Sequence, residues 1–172
     1  RDFPNSQYTI NAYYFKANAY NFLKDYRKAR DVFQQVMDRD TTGSLAEVSM
    51  YQRADCLLAM KDQAGASKEY NFFIQKNPKS PYVANSLFQL GNMEWGNENW
   101  GAAKKFYGRI LAEYPGFQQI CWAKNYLAFC YDKEGTWRKA TALYDEVRGG
   151  NACDREAKEF AKKQIQGINV KH

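Results

Sequence analysis

Hydrophobic and polar positions follow each other with a helical rhythm along this chain. Tyr26, Ala29, Phe33 and Val36 are three, four and three residues apart, a spacing that places them on one stripe of an α-helix. Trp100, Ala103, Tyr107, Ile110 and Trp137, Ala140, Tyr144, Val147 repeat the stripe. A second helical stripe precedes each of these two, as in Leu87, Leu90, Gly91 and in Lys124, Leu127, Ala128, Tyr131. Short polar turns separate the two kinds: Lys24-Asp25, Lys61-Asp62, Asn97-Glu98-Asn99 and Lys133-Glu134-Gly135. Connections this short predict antiparallel neighbours. The whole pattern then recurs. Ala29, Ala66, Ala103 and Ala140 stand 37 residues apart, each followed four residues later by Phe33, Tyr70, Tyr107 or Tyr144. Ala17, Ala54, Gly91 and Ala128 keep the same interval. A fixed period in this range is the mark of a stacked repeat array. The predicted fold is therefore all-α, four helical hairpins in a solenoid.

The breaks between units are equally regular. Asn77-Pro78-Lys79-Ser80-Pro81 offers Ser80 as a helix N-cap with Pro81 at the first helical position. Ser44 with Glu47 fits a capping box. Tyr114-Pro115-Gly116 and Gly149-Gly150-Asn151 end the third and fourth units. Residues 154–168 read as a further amphipathic helix, with Ala157, Phe160, Ala161 and Ile165 on one side. A single helix after an array closes its last apolar face, so 151–172 is expected to be a capping helix and tail. The four units occupy 8–150. Pro4 lies two periods before Pro78 and three before Pro115, so residues 1–7 are expected to end a preceding repeat, and the chain to be a fragment of something longer.

Hairpins with a small residue in the first helix, then Ala, an aromatic and Pro in the second, resemble tetratricopeptide repeats (TPR). In the third unit the matching residues are Leu87, Leu90, Gly91, Trp100, Ala103, Tyr107, Ile110 and Pro115. The resemblance runs from about Tyr8 to Gly150. It implies a right-handed superhelix that binds a protein or peptide without catalysis. The period departs from the family's usual length of about 34, with the extra residues falling between repeats. The joints Phe3-Pro4-Asn5-Ser6, Asn77-Pro78-Lys79-Ser80 and Tyr114-Pro115 resemble those of a bacterial envelope subgroup, which includes the Tol–Pal coordinators and outer-membrane assembly lipoproteins. That second resemblance implies a periplasmic or outer-membrane-associated protein, with a cytoplasmic one as the alternative. Gln63 at an aromatic position, Glu94, and Thr41 and Ala152 in place of proline depart from the pattern without disturbing its register.

Charge and chemistry change this picture little. The chain carries 25 basic and 19 acidic residues, a formal net charge of +6, but acids interrupt each basic stretch. A nucleic-acid groove needs basic residues stacked on one face, and none is legible. No run of about 18 apolar residues would cross a bilayer. His172 is the one histidine, so no Ser/His/Asp or Cys/His set can be assembled away from the terminus. Cys56, Cys121, Cys130 and Cys153 lack metal-ligand spacing, and no cofactor or metal is expected. Cys56 and Cys130 share one repeat position and read as small core residues. Cys121 starts one helix and Cys153 follows its antiparallel partner, so a disulfide between them is geometrically open.

The resemblance also places a candidate groove on the first helix of each hairpin. One row is Tyr14, Tyr51, Phe88 and Asn125; a second is Asn18, Asp55, Asn92 and Phe129; a third is Asn21, Leu58, Trp95 and Asp132. Asn11, Asn85 and Trp122 flank them. Aromatics among asparagines suit an extended peptide, rings covering its apolar side chains and amides its backbone groups. Filling of inter-helix space remains the alternative for Tyr14, Tyr51 and Phe88. The first row has no lysine, which argues against the carboxylate clamp of chaperone-binding family members. Two other readings stand beside peptide binding: a glycan-binding module of an outer-membrane carbohydrate-capture system, and self-association through an exposed face of the first helix pair.

Overall fold

The computed structural model describes residues 6–41 and 43–171. The Phe3-Pro4-Asn5 part of the first joint and His172 lie outside them. Among the described residues there are nine helices and no strand. They are α1 (Gln7–Phe22), α2 (Tyr26–Arg39), α3 (Ser44–Ala59), α4 (Gln63–Lys76), α5 (Val83–Gly96), α6 (Trp100–Glu113), α7 (Ile120–Lys133), α8 (Trp137–Gly149) and α9 (Arg155–Lys171). Compactness divides the chain inside α5, into residues 1–86 and 87–172.

In the first unit α1 packs on α2, α3 on both α1 and α2, and α4 on α3. Ala17, Ala29, Val32, Phe33 and Cys56 share one buried cluster. In the second unit α7 packs on α6 and α8, and α9 lies on α8 and α7. Ala128, Ala140, Tyr144, Val147, Ala157, Ala161, Ile165 and Ile168 form its core. The repeating alanines Ala29, Ala66, Ala103 and Ala140 are wholly buried, as are the rings Phe33, Tyr70, Tyr107 and Tyr144. The crossing is close at Gly91. A Cβ there would come within 2.7 Å of the Tyr107 ring, so that ring occupies the space a methyl would take.

Each hairpin turn is built the same way. Lys24, Lys61, Glu98 and Gly135, one period apart, all have positive φ, at 59°, 64°, 59° and 74°. The next residue's N–H reaches back to the carbonyl of Tyr20, Leu57, Glu94 or Tyr131 at 2.8–3.0 Å, which satisfies a helix-end acceptor in the Schellman manner. That next residue then starts the second helix. Asp25 and Asp62 accept from the N–H of Lys28 and Gly65; Asn99 and Thr136 stand in the same place without a side-chain cap bond.

Two of the expected helix starts are corrected. Gly43, not Ser44, precedes α3, and no capping box forms. Asp40, buried in the joint, supplies the acceptor instead, taking the Ala46 N–H at 2.9 Å. Glu47 turns to the next joint, where Ser80 Oγ donates to it at 2.5 Å. Pro81 lies in a turn and α5 begins at Val83; Ser80 Oγ accepts from Tyr82 N–H. The joint is thus a linked loop, and the helix opens later than the proline suggests. The C-terminal helix is close to expectation, with Asp154 capping it through the Ala157 N–H at 2.7 Å. Cys121 and Cys153 form a disulfide, Cα atoms 5.6 Å apart, while Cys56 and Cys130 are buried free thiols. Burial pushes both of these thiols up to about 12.

Candidate partner-binding site

The anticipated groove residues fall into two chemically different sets. In the first unit, α1 and α3 carry a polar network. Asn18 donates to the Tyr14 carbonyl at 2.9 Å and accepts from Gln52 at 3.0 Å, joining the two helices. Asp55 accepts from the Tyr70 hydroxyl. Tyr51 stands beside Asp55 and Asn85 as well. The Tyr51 ring stacks on Tyr82, centroids 5.0 Å apart and planes 17° apart. Burial raises the Asp55 carboxyl to about 6, against the lowering effect of the two tyrosine hydroxyls. Tyr14, Asn21, Tyr51 and Asn85 are half-buried.

Repeat register explains the Asp55 contact. Asn92, one period on, accepts from Tyr107 at 2.8 Å, as Asp55 does from Tyr70. An acidic or amide side chain on the first helix thus anchors a buried tyrosine on the second. Asp55 and Asn92 belong to the candidate groove, and one oxygen of each is already engaged inside its hairpin. In the first hairpin the pair is Asn18 and Phe33, and without a hydroxyl to bind, Asn18 turns to Gln52. In the fourth it is Phe129 and Tyr144, and the buried Tyr144 hydroxyl has no hydrogen-bond partner among the described residues.

Phe88 and Asn125 do not present a surface. Phe88 is buried against Tyr107, Phe117 and Tyr126. Asn125 is fully buried and donates to the Ala157 carbonyl at 2.9 Å, tying α7 to α9. The register placed them correctly on the helix, but packing covers both.

What the second unit offers is an aromatic strip. Trp122, Tyr126 and Phe129 lie four and three residues apart on α7; Trp122 and Tyr126 are half-buried. Trp95 contacts Tyr126 and Phe129 at 5.4 and 5.3 Å between centroids. Trp100 lies edge-on to Phe129 at 5.5 Å, and Phe160 lies 5.8 Å from Trp122. Lys133 Nζ sits 5.1 Å from the Phe129 centroid. Tyr126, Trp100 and Phe160 were not among the expected groove residues. Tyr126 has Phe15, Gln52 and Gln89 at its repeat positions, so no recurrence pointed to it. The strip also accounts for the orphan tyrosine. Phe129 contributes a ring where its counterparts supply an acceptor, and leaving a buried hydroxyl unpaired costs about 1–3 kcal/mol.

A different recess, lined by Arg30, Asp31, Gln34, Arg53, Leu57 and Glu69, is internally paired: Arg53 binds Gln34 and Glu69, and Arg30 binds Asp31. Among the described residues no three His, Cys, Asp or Glu side chains gather as metal ligands, and no helix is long and apolar enough to cross a membrane.

The tetratricopeptide repeat family model matches residues 48–80. That stretch holds most of α3, all of α4 and the joint at Ser80. No curated protein matches the chain. Two solved structures of nearly identical TPR-like repeats from Podosopora anserina, in a protein described as a putative kinesin light chain, superpose along almost the whole chain. One of them, a single-substitution form, has a TM-score of 0.66 and the other 0.65; each is 14% identical, covering 99% of this chain and 98% of its own. At that identity the likeness shows the fold, an all-α TPR-like helical repeat. Repeats of this kind generally serve as protein-interaction scaffolds.

Proposed function

We propose that this chain is a non-catalytic scaffold that holds an extended segment of a protein partner, with the aromatic strip of the second unit as its anchor. The carrying observation is the contiguity of Trp95, Trp122, Tyr126 and Phe129, gained at the expense of the Tyr144 hydrogen bond. Large aromatic rings supply contact area at low conformational cost and dominate interface energies. The Cys121–Cys153 disulfide supports an oxidising compartment, in keeping with the envelope-type joints; we place the protein in the bacterial periplasm or at its outer membrane.

Selection of binders from a displayed library of unstructured peptides tests the reading. Trp122→Ala with Phe129→Ala should weaken the selected peptides at least ~10-fold while the helical circular dichroism is retained. Undiminished binding by that double variant would place the site elsewhere. The same rings could stack on sugars, so a glycan array is the control. Glycan hits competing with the peptides would favour a carbohydrate-capture module.

A further inference from the structure

Independently of that strip, α1 carries an apolar face that no described element covers. Tyr8 is 88% exposed, Phe15 69%, Phe22 88% and Leu23 71%, and Ala12 and Ala19 between them are exposed as well. Tyr8, Ala12, Phe15, Ala19 and Phe22 are spaced four, three, four and three. That is the seam of a helix pair packed knobs-into-holes.

Repeat register shows what kind of face this is. The counterparts of Ala12 and Ala19 are Ser49 and Cys56 on α3, and Ala123 and Cys130 on α7, all fully buried. Helix α1 therefore turns to solvent the positions that those helices use for packing. Three aromatics at about 150–250 Å² each make a patch of about 450–750 Å², near the roughly 800 Å² per partner of a specific interface. Lys16 is the single charged residue of α1, so like charges do not oppose a second copy. Helix α9 offers no counterpart: it covers α7 and α8 and turns Glu159, Lys162, Lys163 and Gln166 outward. A self-complementary pairing is the closed solution.

We propose that α1 is a self-association face, pairing antiparallel with the α1 of a second copy about a two-fold axis near Ala17. Phe15 then lies over the partner's Ala19 and Phe22 over the partner's Ala12. Tyr8, with its hydroxyl, sits at the rim. Rings meet methyl groups in these layers, whereas a parallel pairing would stack ring on ring and leave gaps at the alanines.

Sedimentation equilibrium of the 172-residue chain from about 1 μM to about 1 mM tests this. A reversible dimer is expected, unaffected by salt near ~1 M because no ion pair holds it. Phe15→Glu and Phe22→Glu should each weaken it at least ~100-fold by burying a charge, with helix content unchanged since both rings are exposed in the single chain. A chain monomeric throughout overturns the proposal. A dimer that tolerates both variants, or dissolves in salt, overturns it too and moves the contact to another surface.

Discussion

At the scale of single residues, the informative unit is the pair formed by residue 18, 55, 92 or 129 with residue 33, 70, 107 or 144. Tyr107→Phe removes a hydrogen bond to Asn92 and leaves the amide oxygen without its donor, so it should cost about 1 kcal/mol. Tyr144→Phe removes a hydroxyl that bonds nothing among the described residues and should be neutral or stabilise by up to about 1 kcal/mol. Urea unfolding should show a loss for Tyr107→Phe and none for Tyr144→Phe, and equal losses would mean Tyr144 has a partner after all. Asp55 adds a pH dependence. Its folded-state pKa of about 6 lies above the ~3.9 of an unfolded aspartate. Between those values the folded protein binds the extra proton, so this group lowers stability as pH rises from ~4 to ~6 and not beyond. Asp55→Asn supplies the residue found at position 92, whose Oδ1 accepts the same tyrosine bond. The variant should exceed the parent in stability by about 1–3 kcal/mol at neutral pH and match it near pH ~4. Parallel pH profiles for the two proteins would refute the burial of a charge at Asp55.

At the scale of elements, the hairpin turn makes the clearest prediction. Lys24, Lys61 and Glu98 hold left-handed backbone that Gly135 alone holds without strain. Lys61→Gly and Glu98→Gly should therefore stabilise by about 0.5–1 kcal/mol, and Gly135→Ala should destabilise by about 1 kcal/mol. Thermal melts of the three single variants decide it, and a loss at Lys61→Gly would mean its side chain contributes more than the strain. This turn also marks what sequence could and could not disclose. Helix identity and pairing were legible because Ala29, Ala66, Ala103 and Ala140 recur under the strict steric demand of a close crossing. The left-handed position was not, since three of its four occupants are Lys or Glu, residues that carry no turn signal. Ser44 and Pro81 misled for the opposite reason. Their local preferences are real, but Asp40 and the Ser80–Glu47 bond, both set by tertiary packing, decide where α3 and α5 begin. The groove was half legible for the same cause. Register put Phe88 and Asn125 on the correct helices, while their burial depends on Phe117 and on α9, which no register of the first helices encodes. Tyr126 and Phe160 escaped because they belong to single units.

At the scale of the whole molecule, a repeat array draws its stability from nearest-neighbour contacts and depends on its closing element. Helix α9 is that element for the second unit, through Ala157, Ala161, Ile165 and Ile168 in its core and through the Asn125 bond to Ala157. The Cys121–Cys153 bridge fixes the loop that leads into it, closing a stretch with a sequence separation of 32. By chain entropy alone a closure of that length contributes about 3–4 kcal/mol, a large fraction of the stability of a domain this size. Reduction, or Cys121→Ser with Cys153→Ser, should therefore lower the melting temperature by roughly 5–15 °C. The loss should concentrate in α9, whose amides should lose hydrogen-exchange protection before those of α7 and α8. Cys56 and Cys130 supply the control: buried, with thiols raised to about 12, they should resist alkylation in the folded protein, so that reduction followed by labelling modifies Cys121 and Cys153 first. If reduction left both the melting temperature and the protection of α9 unchanged, the cap would be held by its apolar face alone. The disulfide would then have no part in closing the array.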